Sequence, residues 1–130
     1  MAPTASSRST EPVTDSAPVV VLISADPRVS HRANEALRIG LGVAAGDNEV
    51  IVVLRDDAVH LLDADTDELV DGDDIAKFRA ALKELGIPFH VEARALPADA
   101  DWNAEGHAIV PVTAERIAEL VRRGRRFLVF

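Results

Sequence analysis

Two uninterrupted apolar runs, Pro18 to Ser24 (PVVVLIS) and Glu49 to Leu54 (EVIVVL), are dominated by β-branched residues and show no polar alternation. That pattern predicts strands covered on both faces, the condition of a parallel sheet. Between them the period changes. Ala33, Ala36, Leu37, Gly40, Leu41 and Ala44 recur at three and four, so a helix is predicted from His31 to about Ala45, with Ser30 as N-cap and Gly46 as a left-handed stop. Ala58 to Leu62 reads as a short helical turn. Asp73 or Asp74 is expected to cap a helix with the face Ile75, Phe78, Leu82 and Leu85, closed by Gly86 and followed by Pro88. Pro88 to Ala93 reads as a third strand and Ala108 to Val110 as a short fourth, after a polar loop holding Trp102. Thr113 then caps a helix carrying Ile117, Leu120 and Val121, ended by Gly124, and Arg126 to Phe130 is the last strand.

Strands alternating with helices at this spacing predict an α/β fold. Its expected form is a three-layer α/β/α sandwich with a mostly parallel sheet of about five strands and right-handed crossovers. Ligands of such folds gather outside the carboxyl ends of the strands. Those ends are Ser24 to Asp26, Arg55 to Asp57, Glu92 to Arg94, and Pro111. Asp26, Arg55, Asp57, His60 and Glu92 are therefore the ligand-binding candidates.

Length and composition narrow the picture. At 130 residues and 13.9 kDa the chain suits one domain, expected over 18–130. Met1 to Ala17 has four Ser, three Thr and two Pro but no Leu, Ile or aromatic residue, and is expected to be a disordered tail. The apolar run from Val19 is too short for a signal segment, and no stretch has the roughly 18 apolar residues of a membrane span, so a cytoplasmic location is expected.

Net charge is −8, from 14 Lys and Arg against 22 Asp and Glu, which removes a uniform basic footprint for nucleic acid or an anionic membrane. Nine of those acids lie between Asp56 and Asp74 with no base among them, leaving the rest of the chain close to neutral. Arg122, Arg123, Arg125 and Arg126 form a smaller opposite cluster.

Several chemistries fall away on context. Gly40, Gly42 and Gly46 close a helix and precede a strand, the reverse of a dinucleotide loop, so helix packing and capping explain them better. Asp63, Asp65, Asp67, Asp71 and Asp74 approximate the spacing of a calcium loop, but Glu68 stands where its sharp turn demands glycine. A solvated acidic loop is the default, and no metal or other cofactor is expected. A phospho-receiver needs an acidic pair directly after its first strand and a Lys after its last, and the chain has neither. The four histidines (His31, His60, His90, His107) share no i,i+4 spacing, and no Gly-x-Ser-x-Gly elbow occurs. No complete catalytic constellation is present.

The helix ANEALRIGLGVAAGDNEV, the strand IVVL and the turn Asp57-Ala-Val59-His60-Leu61-Leu62, of the form D-x-V-x-L-L, resemble the DsrE/DsrF/TusBCD family of small sulfur-relay proteins. The closing helix AERIAELVRRG and strand RRFLVF are similar to that family's end, so the likeness spans about Pro18 to Phe130. The resemblance implies an α/β/α sandwich, oligomers, and a carrier cysteine just after a middle strand, here around Glu92 to Leu96. The chain contains no cysteine. A thiolate is the sulfur nucleophile, and neither Glu92 nor Arg94 can hold a persulfide.

The expectation is therefore a non-catalytic DsrE-like domain working through assembly, with itself or with a family paralogue as partner. The alternative is a small-molecule binder or enzyme using the polar cleft. Val59 and Leu62 on the short turn, and Trp102 in its polar loop, are the interface candidates, as apolar residues that one domain would leave uncovered.

Overall fold

Both β-branched runs become neighbouring strands because neither has a polar face to turn to water. In the computed structural model, which describes residues 17–130, β1 (Val19–Ile23) is buried at every position. It pairs in parallel with β2 (Val50–Leu54) on one side and β5 (Arg126–Val129) on the other. Beyond β2 lie β3 (Phe89–Glu92) and β4 (Ile109–Val112), giving an all-parallel sheet of order β4-β3-β2-β1-β5. The disordered tail expected over Met1 to Ala17 lies outside the described residues, apart from Ala17.

The two faces are covered unequally. Helices α1 (Arg32–Ala45) and α2 (Gly72–Glu84) pack on one another and on the first face, burying Ala33, Leu37, Ile75 and Leu82 against Val21, Ile23, Val52, Leu54, Phe89 and Val91. Gly40 sits over the sheet, where an added Cβ would be 3.8 Å from Val52 and 3.9 Å from Val21. The second face carries α3 (Ala114–Arg123), whose Ile117 and Leu120 cover Val20, Leu22, Val53 and Val112. Among the described residues nothing covers its flank: Phe127 and Val129 of β5 are 53% and 51% exposed. By register with Val20 and Leu22 they point to the α3 side.

Local signals hold at some ends and fail at others. Thr113 caps α3, its Oγ accepting from Arg116 N at 3.1 Å, and Gly86 after α2 has φ +74°, both as expected. The N-cap of α1 is His31 in place of Ser30, although the Ser30 hydroxyl still accepts from Arg32 N at 3.1 Å. Gly46 is not left-handed (φ −87°); the reversal falls one residue later, at Asp47 with φ 64°. Helix α2 starts at Gly72 behind a left-handed Asp71 (φ 59°), so Asp73 and Asp74 lie in its first turn, where carboxylates suit the positive end of the helix dipole.

The segment Asp56–Leu62 is a 3-10 turn that drives Ala58, Val59, Leu61 and Leu62 inward. This corrects the expected interface. Val59 and Leu62 pack into the chain's own core, 4% and 1% exposed, too little surface to form an interface. Trp102 is half-buried against that core, with its indole Nε1 donating to the Val59 carbonyl at 2.8 Å.

Candidate functional site

The connections after β1 and β2 run to helices on the first face, whereas that after β4 runs to α3 on the second. A parallel sheet opens a crevice where its crossovers diverge in this way. Here that point is the carboxyl end of β3, occupied by Glu92. Register pairs Glu92 with Val112 of β4, and beyond it the 3-10 turn Ala93–Ala95 carries Arg94 into solvent.

An open cavity of about 400 Å³ lies there, lined by Asp56, Asp57, His60, Glu92 and Arg94, with Val59, Ala95 and Pro97 supplying apolar wall. A second hollow of about 300 Å³ continues past Glu92 and Arg94 to Val112, Thr113 and Glu115 at the start of α3. Glu92 is the wall between the two. The residue is only 8% exposed overall, and its side chain makes no hydrogen bond or ion pair with any described residue. Asp56, at the rim, holds a left-handed backbone with φ 55°, a conformation that Asp tolerates better than most residues.

Of the five sequence candidates, Asp57, His60 and Glu92 share this cavity; Asp26 and Arg55 do not line it. Asp26 is clasped by Arg28, which donates from its backbone N at 2.9 Å and from Nε and a terminal nitrogen at 3.0 and 2.9 Å. That side-chain clasp holds the Asp26 carboxyl below its usual range despite some burial. Arg28 also reaches to 3.7 Å from Asp57. Arg55 turns back to the end of β1, where its Nε donates to Ser24 Oγ at 2.8 Å. His60 Nδ1 lies 3.0 Å from an Asp63 oxygen, which orients the ring from behind. Asp56 and Arg94 are cavity residues that the sequence reading left out. Their adjacency to Asp57 and Glu92 was the available signal.

The acidic segment does not close into an ion-binding loop. Asp63 is engaged with His60, and Asp65 accepts from Asp67 N at 2.9 Å, while Asp71 makes the turn into α2 with its left-handed backbone and no side-chain cap. Among the described residues no group of three or more His, Asp or Glu side chains is gathered tightly enough to hold a metal ion. The calcium candidates Asp63, Asp65, Asp67, Asp71 and Asp74 are thus spread along the loop instead of converging.

A buried polar cluster went unread. Arg79 stands between Ile75 and Leu82 on the inner face of α2 and is 1% exposed. One guanidinium nitrogen donates to the carbonyls of Leu61 and Asp63, both at 2.8 Å, and the other pairs with Glu105 at 3.1 Å. His107, buried against Phe89, lies 3.2 Å from the same carboxylate through Nε2. Burial draws Glu105 upward, but Arg79 and His107 outweigh it and hold the carboxyl below its usual range. Burial lowers His107, and Arg79 adds to the effect against the opposing pull of Glu105. The cluster ties the end of the 3-10 turn to the Trp102 loop and so sets one side of the cavity. An Arg at the helix-periodic position between two core residues was its sequence trace.

A five-stranded parallel sheet with helices on both faces and this crevice defines the class. The chain belongs to the DsrE/DsrF-like family, whose model matches residues 17–130. Among solved structures it is similar to the crystal structure of the ychN protein from E. coli, with a TM-score of 0.66 and 15% identity, over 88% of this chain and 99% of that one. That likeness is one of fold. No curated protein sequence matches the chain. The segment where the resemblance places a carrier cysteine is the Glu92 wall of the cavity, and the whole chain lacks cysteine.

Proposed function

We propose that this protein is a non-carrier member of the DsrE/DsrF-like family that acts as a self-assembling structural or regulatory subunit in the cytoplasm, without transferring sulfur. The observation carrying the reading is the bare flank of the sheet. Phe127 and Val129 are each about half exposed, side by side on a strand that among the described residues pairs only with β1. Apolar side chains beside an open strand edge favour association over solvation. The occupant is a second copy of this chain. The cluster Arg122, Arg123, Arg125 and Arg126 carries positive charge close in sequence to the patch, and the segment from Asp56 to Asp74 supplies the opposite sign on the same molecule. Such complementarity sets register and encounter rate more than affinity. Family membership supports assembly as the mode of action, and the missing thiolate supports a role other than persulfide carriage. Among the described residues no helix is long and apolar enough to cross a membrane.

Sedimentation of the purified protein at micromolar concentration tests this. The expected result is one closed species, a dimer or trimer of the 13.9 kDa chain, which Phe127→Asp with Val129→Asp dissociates without unfolding the subunit. A single species near 13.9 kDa for the unaltered chain overturns the proposal.

A further inference from the structure

The sheet ends in β4 on one side and β5 on the other, and the two outer edges are built differently. Just past β5, Phe130 N donates to the Leu22 carbonyl at 2.9 Å, and the Phe130 carbonyl accepts from Ser24 N at 2.8 Å. Backbone groups alternate sides along a strand. Leu128 therefore also faces β1, while Phe127 and Val129 turn their N–H and C=O groups away from the sheet. Among the described residues no strand meets these groups, and the Val129 carbonyl has only the Arg32 guanidinium, at 3.5 Å. The side chains of the same two residues are half exposed on the α3 side, so backbone and apolar surface are left uncovered together.

The opposite edge is guarded. Phe89 N donates to the Ala108 carbonyl at 2.9 Å, which sets Val110 toward β3 and turns the backbone of Ile109 and Pro111 outward. Proline has no N–H to offer, and on an outer strand it bars further pairing. Strand β5, Arg-Phe-Leu-Val, holds no Pro or Gly and a single charge. The partner follows from this contrast. The β4 edge of another copy cannot return the outward hydrogen bonds of β5 in full, so head-to-tail growth is stopped. A second β5 can return them, and pairing like with like closes at two subunits.

We propose that β5 pairs antiparallel with the β5 of a second copy about a two-fold axis at Leu128, running one sheet through both subunits. This rests on the assembly reading above and specifies its geometry. In that register Phe127 stands opposite the partner's Val129, and the two exchange both N–H···O bonds while an aromatic side chain meets a β-branched one on the α3 side. Leu128 meets the partner's Leu128 as a pair without hydrogen bonds. Arg126 falls opposite the partner's Phe130, a ring of the kind over which Arg32 already sits at 5.8 Å within one chain. The two Arg126 side chains are thereby held at opposite ends of the paired strands.

The full chain has no cysteine, so a single introduced thiol reports on one position. Leu128→Cys places it on the axis, where partners in a pair without hydrogen bonds have Cα atoms about 4.5 Å apart, within disulfide reach. With oxidised glutathione and micromolar protein, Leu128→Cys is expected to form a covalent dimer at least tenfold faster than Val110→Cys, which is exposed on β4. In sedimentation, Val129→Pro removes an outward N–H and leaves the β1 ladder whole. It should weaken the dimer at least tenfold beyond Val129→Ala, which keeps that N–H. The fluorescence of Trp102 checks that each variant is folded. A closed trimer, equal cross-linking rates for Leu128→Cys and Val110→Cys, or equal dimer affinities for Val129→Pro and Val129→Ala would overturn the edge pairing and leave the assembly reading standing. A monomer for the unaltered chain overturns both.

Discussion

Replacing Arg79 with Met isolates what a buried cation does for this fold. Met keeps most of the volume while removing every donor. The two carbonyl contacts, to Leu61 and Asp63 at 2.8 Å each, are charge-assisted bonds worth about 1.5–3 kcal/mol apiece. The ion pair adds little, because Glu105 is 51% exposed and water replaces its partner at a cost of about 1 kcal/mol or less. Against these losses, the variant deletes the Arg79 Nε, a buried donor without a partner that itself costs about 1–3 kcal/mol. The balance is a destabilisation of about 3 kcal/mol, on the order of 10 °C in Tm for a domain of this size. Urea unfolding followed by Trp102 fluorescence and far-ultraviolet dichroism measures it. The indole is bonded to Val59, in the turn that Arg79 clamps, so its emission should shift toward that of a wetter environment in Arg79→Met. Glu105→Gln should cost less than a third as much. A loss below about 1 kcal/mol in Arg79→Met, or an equal loss in Glu105→Gln, would show that the carbonyl clamp is not what holds the turn.

Three further outcomes follow from the same geometry. His107 and His90 are both held below the ordinary imidazole value of 6.5, chiefly by burial, so the unfolded chain takes up protons there before the folded one does. Stability should fall as pH drops from about 6.5, ahead of any loss from Asp26 and Glu105, whose lowered carboxyls keep their contribution until pH falls past their unfolded values of 3.8 and 4.5. A flat urea midpoint between pH 7 and 5, or a slope unchanged in the His90→Gln, His107→Gln double variant, contradicts this. Gly72→Ala would set a Cβ 2.0 Å from the Thr66 carbonyl oxygen and should cost about 1–3 kcal/mol, whereas Gly42→Ala meets open space in α1 and should stabilise by up to about 1 kcal/mol; thermal melts of the pair read the contrast. Incubation with a persulfide donor should leave the intact mass unchanged, since no thiolate exists to accept sulfur; a stable gain of one sulfur atom refutes the non-carrier reading.

Strands β1 and β2 were legible because a strand buried on both faces writes its state into every residue, as VVVLI and VIVVL do. Helix α3 was legible from its cap and its two buried positions. At the edges the same code weakens. Strand β4 exposes Val110 and Pro111, and a proline is tolerated there because β4 is an edge strand. Arg79 shows the limit of pattern reading, since an Arg on an apolar face is normally solvated and only the approach of two carbonyls from a distant turn makes it a core residue. For the same reason the burial of Val59 and Leu62 is not legible in the sequence: a short turn has no period from which burial could be inferred. Glu92 was legible from its place at a strand end, but its lack of a partner depends on side-chain geometry across two loops.

The strand order has a consequence for how the molecule is made. Strand β1 is the first of the five to leave the ribosome, yet its two neighbours, β2 and β5, are the second and the last. One of its hydrogen-bonding edges therefore waits, open and lined by valines, while every other element is synthesised. Until Arg126 to Val129 dock, a nascent chain can accept a strand from elsewhere in their place, including the β5 of a neighbour on the same message. Exchange of that strand between adjacent translating chains is the misassembly this topology invites, and slow translation of the α3 to β5 stretch would lengthen the interval in which it happens.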